Sequence, residues 1–379
     1  MKSRTKLGIA MVTFLLFSQV SCTSGNQYDK PTDVPNNSVT TYSKTPTNTR
    51  SIVLRDTELH NWLLPESRIY GINWSPGGDK FVVLTSSGVT MYDANTYQAI
   101  WSIPQITHAS VFMPDGKSLI LYIYSSGFQV RDTQTGQLLT EKSDNYPPDC
   151  FRFEAHDAIL SSDGNTLYLS VEDQSDKRVT FTEVHVWNMR SLQCEGAFLR
   201  TEGQARSLDL STDGKFLILS VGLNTSDSGG EVSEDGQVTV WDLEINRRAC
   251  SIGHQGSIAR FKPGSPLLFV SDPKNNQLAF WDMNTCQMVG ALNGITTRYN
   301  LAFSPDGQIL AVWSDGIFIL DPNSGKVLAN ISDPEPNSIF PTDRLSSILS
   351  ISPDGGFLIY AVHQFAPPAS LIYLWKLGK

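Results

Sequence analysis

The residue types that most often perform catalysis or bind metals are scattered along this 379-residue chain. Its histidines lie at positions 60, 108, 156, 185, 254 and 363, and they do not have the spacing of a metal-binding motif. A Gly-x-Ser-x-Gly nucleophile turn, a phosphate-binding loop and a dinucleotide-binding fingerprint are also missing from the sequence. These patterns predict no catalytic residue, no metal and no cofactor.

A group of carboxylates lies between Asp227 and Asp235 and includes Glu231 and Glu234. Four carboxylates with no basic residue among them could attract Ca²⁺. Their spacing, however, lacks the alternating acidic positions of a loop that wraps around this ion. We therefore expect this segment to bind no metal.

Two short patterns recur along the chain and predict how it folds. The first is a Pro-Asp-Gly-type turn that appears seven times, at 75–78, 113–116, 162–164, 212–214, 262–264, 304–307 and 352–355. Proline fixes φ at the first corner of a turn and Asp-Gly tolerates positive φ, so each copy connects two strands tightly. The second pattern is a short alternating strand that ends in Trp-Asp, best preserved in 235–242. Each unit of about 47 residues therefore contains four antiparallel strands.

These residues resemble the WD-repeat β-propeller family over about residues 51 to 379. The resemblance implies an all-β fold, a seven-bladed β-propeller of four-stranded antiparallel blades. In that family a hydrogen-bond network joins a Gly-His, an Asp of the second turn and the Trp. No unit here has the complete network, since Asn275 stands where the fifth unit should have its Asp, so packing must contribute more to blade rigidity. The resemblance gives structural roles to Asp235, Trp241, Asp242, His254, Trp281 and Asp282.

The seventh unit reaches the end of the sequence before its fourth strand. Its third strand is predicted at Leu371–Trp375, and the chain stops at Lys379. An open blade with an unpaired edge would promote aggregation. Ser51–Leu54 is a spare apolar segment at the other end of the repeats, so we predict that an N-terminal strand closes the ring.

The N-terminus has the pattern of a targeting segment. Lys2, Arg4 and Lys6 precede an apolar run, Leu7–Phe17, which is typical of a secretory signal. The following Ser-Cys resembles the end of a bacterial lipoprotein signal, in which a small residue precedes the lipidated cysteine. We therefore predict a signal peptide at 1–21, lipidation of Cys22 and a Ser/Thr/Asn/Pro-rich tether at 22–50. The expected location is the extracytoplasmic side of a membrane, and the alternative is cleavage nearby and free secretion.

Four cysteines remain in the repeats, an even number that would suit disulfides in an exported protein. Cys194, Cys250 and Cys286 each follow a strand-ending Trp in successive units, whereas Cys150 does not. Matching positions on neighbouring repeats are spread apart, so bridging is not obvious. We expect mostly free thiols.

The net charge of −9 and the lack of a basic run argue against a nucleic-acid partner. In a propeller, the Pro-Asp-Gly turns and the turns after the Trp-Asp strands share one face, and both kinds are short here. The longer connections, including 171–183, 222–236, 362–370, 143–152 and 331–346, share the other face. Long loops on a rigid scaffold are where binding usually occurs.

We therefore predict a non-catalytic protein- or peptide-binding scaffold that uses this long-loop face. Its candidate binding residues are Tyr146, Asp173, Arg178, Asp227, Glu231, Arg344, His363 and Phe365. The alternative is that these are ordinary solvated loops. A different class of function is a propeller hydrolase of the lactonase or lyase type, with a metal or carboxylate site at the mouth of the central channel. Carboxylates and His108, His156 or His363 would converge there.

Overall fold

A computed structural model describes residues 60–65, 67–123, 127–142, 150, 154–173, 180–224, 232–253, 258–295, 297, 300–314, 316–332, 348–365 and 368–377. These residues belong to one compact unit, Thr41–Lys379. The predicted signal peptide, Cys22 and the tether at 22–50 lie outside them. Within the described residues, no helix has the length and apolar character needed to cross a membrane.

The described strands form seven antiparallel sheets of four strands, which we call blades. One strand, β1 (His60–Pro65), precedes the blades in the chain. Blade 1 contains β2 (Ile69–Trp74), β3 (Lys80–Thr85), β4 (Gly88–Asp93) and β5 (Ala99–Ile103). Blade 2 contains β6 (Ala109–Phe112), β7 (Ser118–Ile123), β8 (Gly127–Asp132) and β9 (Leu138–Lys142). Blade 3 contains β10 (Glu154–Leu160), β11 (Thr166–Asp173), β12 (Phe181–Asn188) and β13 (Gln193–Glu202).

The remaining blades follow in the same order. Blade 4 contains β14 (Gln204–Leu210), β15 (Phe216–Asn224), β16 (Val232–Asp242) and β17 (Arg247–Gly253). Blade 5 contains β18 (Ala259–Phe261), β19 (Leu267–Asp272), β20 (Gln277–Asp282) and β21 (Gln287–Asn293). Blade 6 contains β22 (Leu301–Phe303), β23 (Leu310–Trp313), β24 (Gly316–Leu320) and β25 (Val327–Ser332). Blade 7 contains β26 (Ile348–Ile351), β27 (Phe357–Phe365), β28 (Pro368–Lys376) and β1.

The recurrent Pro-Asp-Gly-type turns connect the first and second strands of each blade, as the sequence predicts. In blade 4, Gly214 has a φ of +73° and its N–H donates to the carbonyl of Ser211 at 2.8 Å. The Ser211 hydroxyl donates to Oδ1 of Asp213 at 2.6 Å and accepts from the N–H of Phe216 at 2.8 Å. Because glycine alone adopts this φ without strain, the dipeptide fixes where each first hairpin turns.

Most of the hydrophobic core lies between the blades. Seven clusters of buried side chains fill the seven seams, one between each pair of neighbouring blades. The inner strands contact one another in cyclic order, from β2 through β26 and back to β2. Each sheet therefore buries both of its faces, which explains why the second strands read as continuous apolar runs such as Phe81–Leu84.

The chain closes its ring with an N-terminal strand, which confirms the predicted mode of closure. β1 pairs antiparallel with β28, from His60 opposite Leu374 to Pro65 opposite Ala369. The closing segment is nevertheless β1 and not Ser51–Leu54, which lies outside the described residues. Trp62 and Leu64 of β1 pack into the seam between blades 7 and 1, so the strand joins the two ends of the repeat array.

The Trp-Asp pairs occupy the predicted third strands. The Trp241 ring lies 5.1 Å from that of Phe198 in the preceding blade, and no hydrogen-bond partner for its Nε1 occurs among the described residues. Asp242 accepts hydrogen bonds from the N–H groups of Glu244 and Ile245, at 3.0 and 3.3 Å, and so fixes the following turn.

The fifth blade repeats the turn-fixing contact. Asp282 accepts from the N–H of Asn284 at 2.8 Å. Trp281 packs into the seam between blades 4 and 5. Asp235 lies in β16, and His254 falls outside the described residues.

The expectation of mostly free thiols is wrong for the four cysteines of the propeller. Cys150 is bonded to Cys194, and Cys250 to Cys286. The second bond joins outer strand β17 to the turn before β21 in the next blade, with a Cα–Cα distance of 6.0 Å. Non-equivalent positions of two repeats therefore meet at a seam, which a comparison of equivalent positions cannot predict.

Candidate functional site in the central channel

The inner strands of all seven blades surround a cavity of about 770 Å³ on the axis of the propeller. The Pro-Asp-Gly-type turns crowd together at one end of it. A Cβ atom built on Gly164 would lie 2.9 Å from Cδ of Pro114 in the preceding blade. One built on Gly78 would lie 3.6 Å from Cδ of Pro353. This end, which we call the turn face, is formed by short connections that pack against one another.

The opposite end, the long-loop face, carries the longer connections between strands. The connections at 333–347 and 143–153 have 15 and 11 residues, and those at 174–180 and 225–231 have seven each. On the turn face, no connection between described strands exceeds six residues. The strands that these longer segments connect therefore end and begin at the end of the channel at which the inner strands begin.

Three inner strands carry a β-bulge at equivalent positions near this end. The register shifts between Ile69 and Gly71 in blade 1, and the extra residue is Tyr70. The same shift in blades 3 and 4 leaves His156 and Arg206 as the extra residues. All three residues line the channel. Because bulges change the direction of a side chain and are frequent beside binding sites, they place a polar set at the channel mouth.

Aromatic and basic groups occupy one side of this mouth. The rings of Tyr70 and His108 lie 4.0 Å apart, and the guanidinium of Arg68 lies 5.9 Å from the Tyr70 ring. In the neighbouring blade 3, Nε2 of His156 lies 3.2 Å from Oε2 of Glu172. The Glu172 carboxylate is buried and also accepts from the N–H of Ala205 at 3.0 Å, which connects blades 3 and 4.

Two aspartates and an arginine lie deeper in the channel. Oδ2 of Asp157 accepts from the N–H of Leu208 at 3.3 Å, and Nη2 of Arg260 lies 3.8 Å from the same oxygen. Oδ2 of Asp209 accepts from the N–H of Phe261 at 2.7 Å. Each carboxylate therefore connects the inner strand of its own blade to that of the next blade.

The protein environment raises the pKa of both aspartates. Burial raises the pKa of Asp209 to about 6, although Arg260 and the Phe261 N–H act in the opposite direction. Burial also raises the pKa of Asp157, and Arg260 again opposes the increase. The Asp157 side chain still exposes 37% of its surface to the channel, so water in the channel screens part of this effect. This part of the channel therefore gains a proton under mildly acidic conditions.

The chemistry of this cluster suits binding more than bond breaking. Glu172, Asp157 and Asp209 each accept a backbone N–H of the neighbouring blade, so each has a role in holding the ring together. Positively and negatively charged side chains both line the channel. This combination suits a polar segment of a partner that carries hydrogen-bond donors and acceptors. The described residues bring one group of three metal-ligand atoms within 4.8 Å, and it lies in blade 3, outside the channel.

The predicted binding residues of the long-loop face are placed unevenly. Asp173 ends β11, is buried, and forms an ion pair with Arg200 at 3.0 Å. His363 is buried within β27, and its Nδ1 lies 3.1 Å from the hydroxyl of Ser370 on β28. Phe365 ends β27, opposite Pro368 in the register. The remaining candidates lie outside the described residues: Tyr146, Arg178, Asp227, Glu231 and Arg344.

The segment 362–370, expected to be a long loop, is mostly strand. β27 continues to Phe365 and β28 begins at Pro368, so the connection has two residues. β16 likewise begins at Val232, inside the expected loop 222–236. His363 pairs with Ser370 within the extended β27–β28 hairpin, so it is an interior residue and does not line the channel.

The channel residues were only partly anticipated from the sequence. His108 and His156 reach the channel as the alternative hypothesis required, whereas His363 does not. Arg206, Asp209 and Arg260 were missed. The sequence signal for Asp209 is its charge. The equivalent positions in the inner strands of blades 2 and 3 are occupied by the apolar residues Val111 and Ile159.

The fold and channel define this chain as a seven-bladed β-propeller with a polar central channel. No protein-family model matches the sequence, and no curated protein matches it.

Proposed function

We propose that this chain is a divergent WD-repeat propeller that serves as a non-catalytic scaffold for a protein or peptide partner. It is exported, anchored through a lipid on Cys22, and binds on the long-loop face. The observation that carries the proposal is the uneven distribution of connections. The strand ends joined by the 15- and 11-residue segments, and by both seven-residue segments before third strands, lie on the side of the polar channel mouth. The strand ends of the turn face are joined by at most six residues.

The channel mouth gives this face a second recognition element. Tyr70, His108 and Arg68 offer an aromatic and cationic surface, while His156 and Glu172 offer a donor and an acceptor. An extended peptide segment entering the mouth would meet these groups after it passed the loops. Main-chain amides and side chains of both charge signs could be accommodated there.

Two features support export. The four propeller cysteines form two disulfides, which persist in oxidising compartments. The N-terminal sequence has the order of a signal peptide, a cysteine and a tether. Detergent phase partitioning of the wild type and of Cys22→Ser tests the anchor. We expect the variant to leave the detergent phase, and equal partitioning of the two proteins would contradict lipidation.

Recovery of the partner from solubilised membranes tests the binding face. Arg178→Ala, Arg344→Ala and Phe365→Ala, combined in one chain, should reduce recovery of the partner that the wild type retains. Asn95→Ala combined with Asn323→Ala is the matched control, because both residues are exposed on the turn face. Equal recovery by the loop variant and the wild type, or selective loss with the turn-face variant, would contradict the assignment.

The channel favours one alternative, a hydrolase with its site in the central channel, because His156, Glu172, Asp157 and Asp209 line the channel from its mouth inwards. In this alternative Asp209 would act as a general base above its pKa of about 6. A panel of ester and lactone substrates tests it with the wild type and Asp209→Asn. Turnover that depends on Asp209 would support the enzyme, whereas equal background rates would support the scaffold.

A further inference from the structure

Blade 3 contains a buried histidine that faces a disulfide. A ring nitrogen of His185 and the sulfur atoms of Cys150 and Cys194 all lie within 4.8 Å of one another. His185 is 1% exposed and lies on β12. Cys150 precedes β10 and is buried, while Cys194 lies in outer strand β13 and is half-buried. Three ligand-type side chains from separate segments therefore meet at one point.

The two nitrogens of His185 have different surroundings. Nε2 lies 2.9 Å from Oε2 of Glu183, which holds the ring in place. Among the described residues, Nδ1 has no hydrogen-bond partner although it is buried. A buried nitrogen without a hydrogen-bond partner destabilises a fold, so its persistence needs a reason. When Nε2 is protonated and donates a hydrogen bond to Glu183, Nδ1 of the neutral ring carries the lone pair.

This arrangement matches the surroundings of a metal-binding histidine. Metal-bound histidines almost always donate their second N–H to a carboxylate or carbonyl, which fixes the tautomer and raises the basicity of the ligand nitrogen. Glu183 is itself held by Nη1 of Arg200, whose Nη2 lies 3.0 Å from Asp173. The support of the histidine therefore extends to the outer strand of the same blade.

We infer that reduction of the Cys150–Cys194 disulfide creates a binding site for a Zn²⁺-like cation, with Cys150, Cys194 and His185 as the ligands. A dithiol reductant supplies two electrons and two protons, giving two thiols and the cyclic disulfide of the reductant. Binding of the cation then releases both thiol protons. Water completes the fourth, open position of the tetrahedron.

The distances allow this change without rebuilding the blade. Bonds of about 2.0–2.3 Å to a tetrahedral Zn²⁺ require ligand atoms roughly 3.5 Å apart. The three ligand atoms already lie within 4.8 Å, so side-chain rotations suffice once the sulfurs separate. Cys194 is half-buried and Cys150 is buried, so we expect a reductant to attack the bond from the side of Cys194.

The second disulfide supplies an internal control. Among the residues that the structure describes, no histidine or carboxylate forms such a group with Cys250 and Cys286. A chain carrying Cys250→Ser and Cys286→Ser therefore isolates the blade 3 pair. We expect this chain, when reduced with dithiothreitol that is then removed, to bind one Co²⁺ or Zn²⁺. The Co²⁺ form should show sulfur-to-metal charge-transfer absorption, and the oxidised form should show none.

Single substitutions in the same background test each part of the site. His185→Gln should abolish the Co²⁺ spectrum, and Glu183→Gln should weaken Zn²⁺ binding about 10–100-fold. Zn²⁺ should also raise the melting temperature of the reduced chain but not that of the oxidised one. A reduced chain that binds no Co²⁺, that binds it equally with His185→Gln, or that unfolds and is not restored by Zn²⁺ would overturn the inference.

Discussion

Trp62 offers a direct test of how the ring is closed. This residue of β1 lies opposite Ile372 of blade 7, and its ring lies 6.0 Å from each of the rings of Phe81, Tyr92 and Tyr97 in blade 1. Removing a fully buried Trp costs about 3–5 kcal/mol. Because Trp62 is only half-buried, we expect Trp62→Ala to lower the free energy of unfolding by about 2 kcal/mol.

The assay is urea unfolding followed by far-ultraviolet circular dichroism. With a slope of about 3 kcal/mol/M, the midpoint should fall by roughly 0.7 M. Leu63→Ala is the matched control, because Leu63 is the next residue of the same strand and is 60% exposed; its replacement should change the midpoint by less than about 0.2 M. Equal midpoints for the wild type and Trp62→Ala, or equal losses in the two variants, would refute closure through this seam.

Three other predictions concern the channel, the turn face and a seam. The pKa of Asp209 is raised from 3.8 to about 6 in the folded protein, so the protonated carboxyl favours the folded state. This contribution to the free energy of unfolding is complete below about pH 4 and is lost as the pH rises through 6. Asp209→Asn should therefore flatten the decline in urea midpoint between pH 4 and 7. Gly164→Ala should cost about 1–2 kcal/mol more than Gly214→Ala in urea unfolding, since both have φ near +72° but only the first Cβ would clash. Replacing Cys250 and Cys286 by Ser should lower stability by roughly 3–4 kcal/mol, from a sequence separation of 36, as measured by calorimetry.

Each of these has a clear contrary result. A wild type and an Asp209→Asn variant with parallel pH profiles would show that the carboxyl is not perturbed in the channel. Similar costs at the two glycines would show that the turns of neighbouring blades do not crowd. An unchanged melting temperature without the second disulfide would show that the seam is held without it.

The fold could be predicted because its signals are local. A glycine with positive φ at each first turn, such as Gly214, is encoded by a dipeptide, and the alternating strand before Trp241 needs no partner to be recognised. The seventh unit has no fourth strand after Leu371–Trp375, which predicts that an N-terminal strand completes this blade. The predicted segment, Ser51–Leu54, was wrong, because the identity of the closing strand depends on the pairing of β1 with β28.

The site could not be predicted in the same way because its geometry is non-local. The bulges that place Tyr70, His156 and Arg206 in the channel depend on how two strands pair, which spacing does not reveal. The bond between Cys250 and Cys286 depends on the stagger between neighbouring blades.

Site-specific photo-crosslinking in native membranes gives the sharpest test of whether a protein or peptide binds on the long-loop face. A crosslinking side chain replaces Arg344, in the 15-residue connection, or Ser324, which is exposed in a turn of the opposite face. We predict a discrete crosslinked partner at position 344 and none at position 324. A partner captured only at 324, or equally at both positions, would show that the long-loop face is not the binding surface.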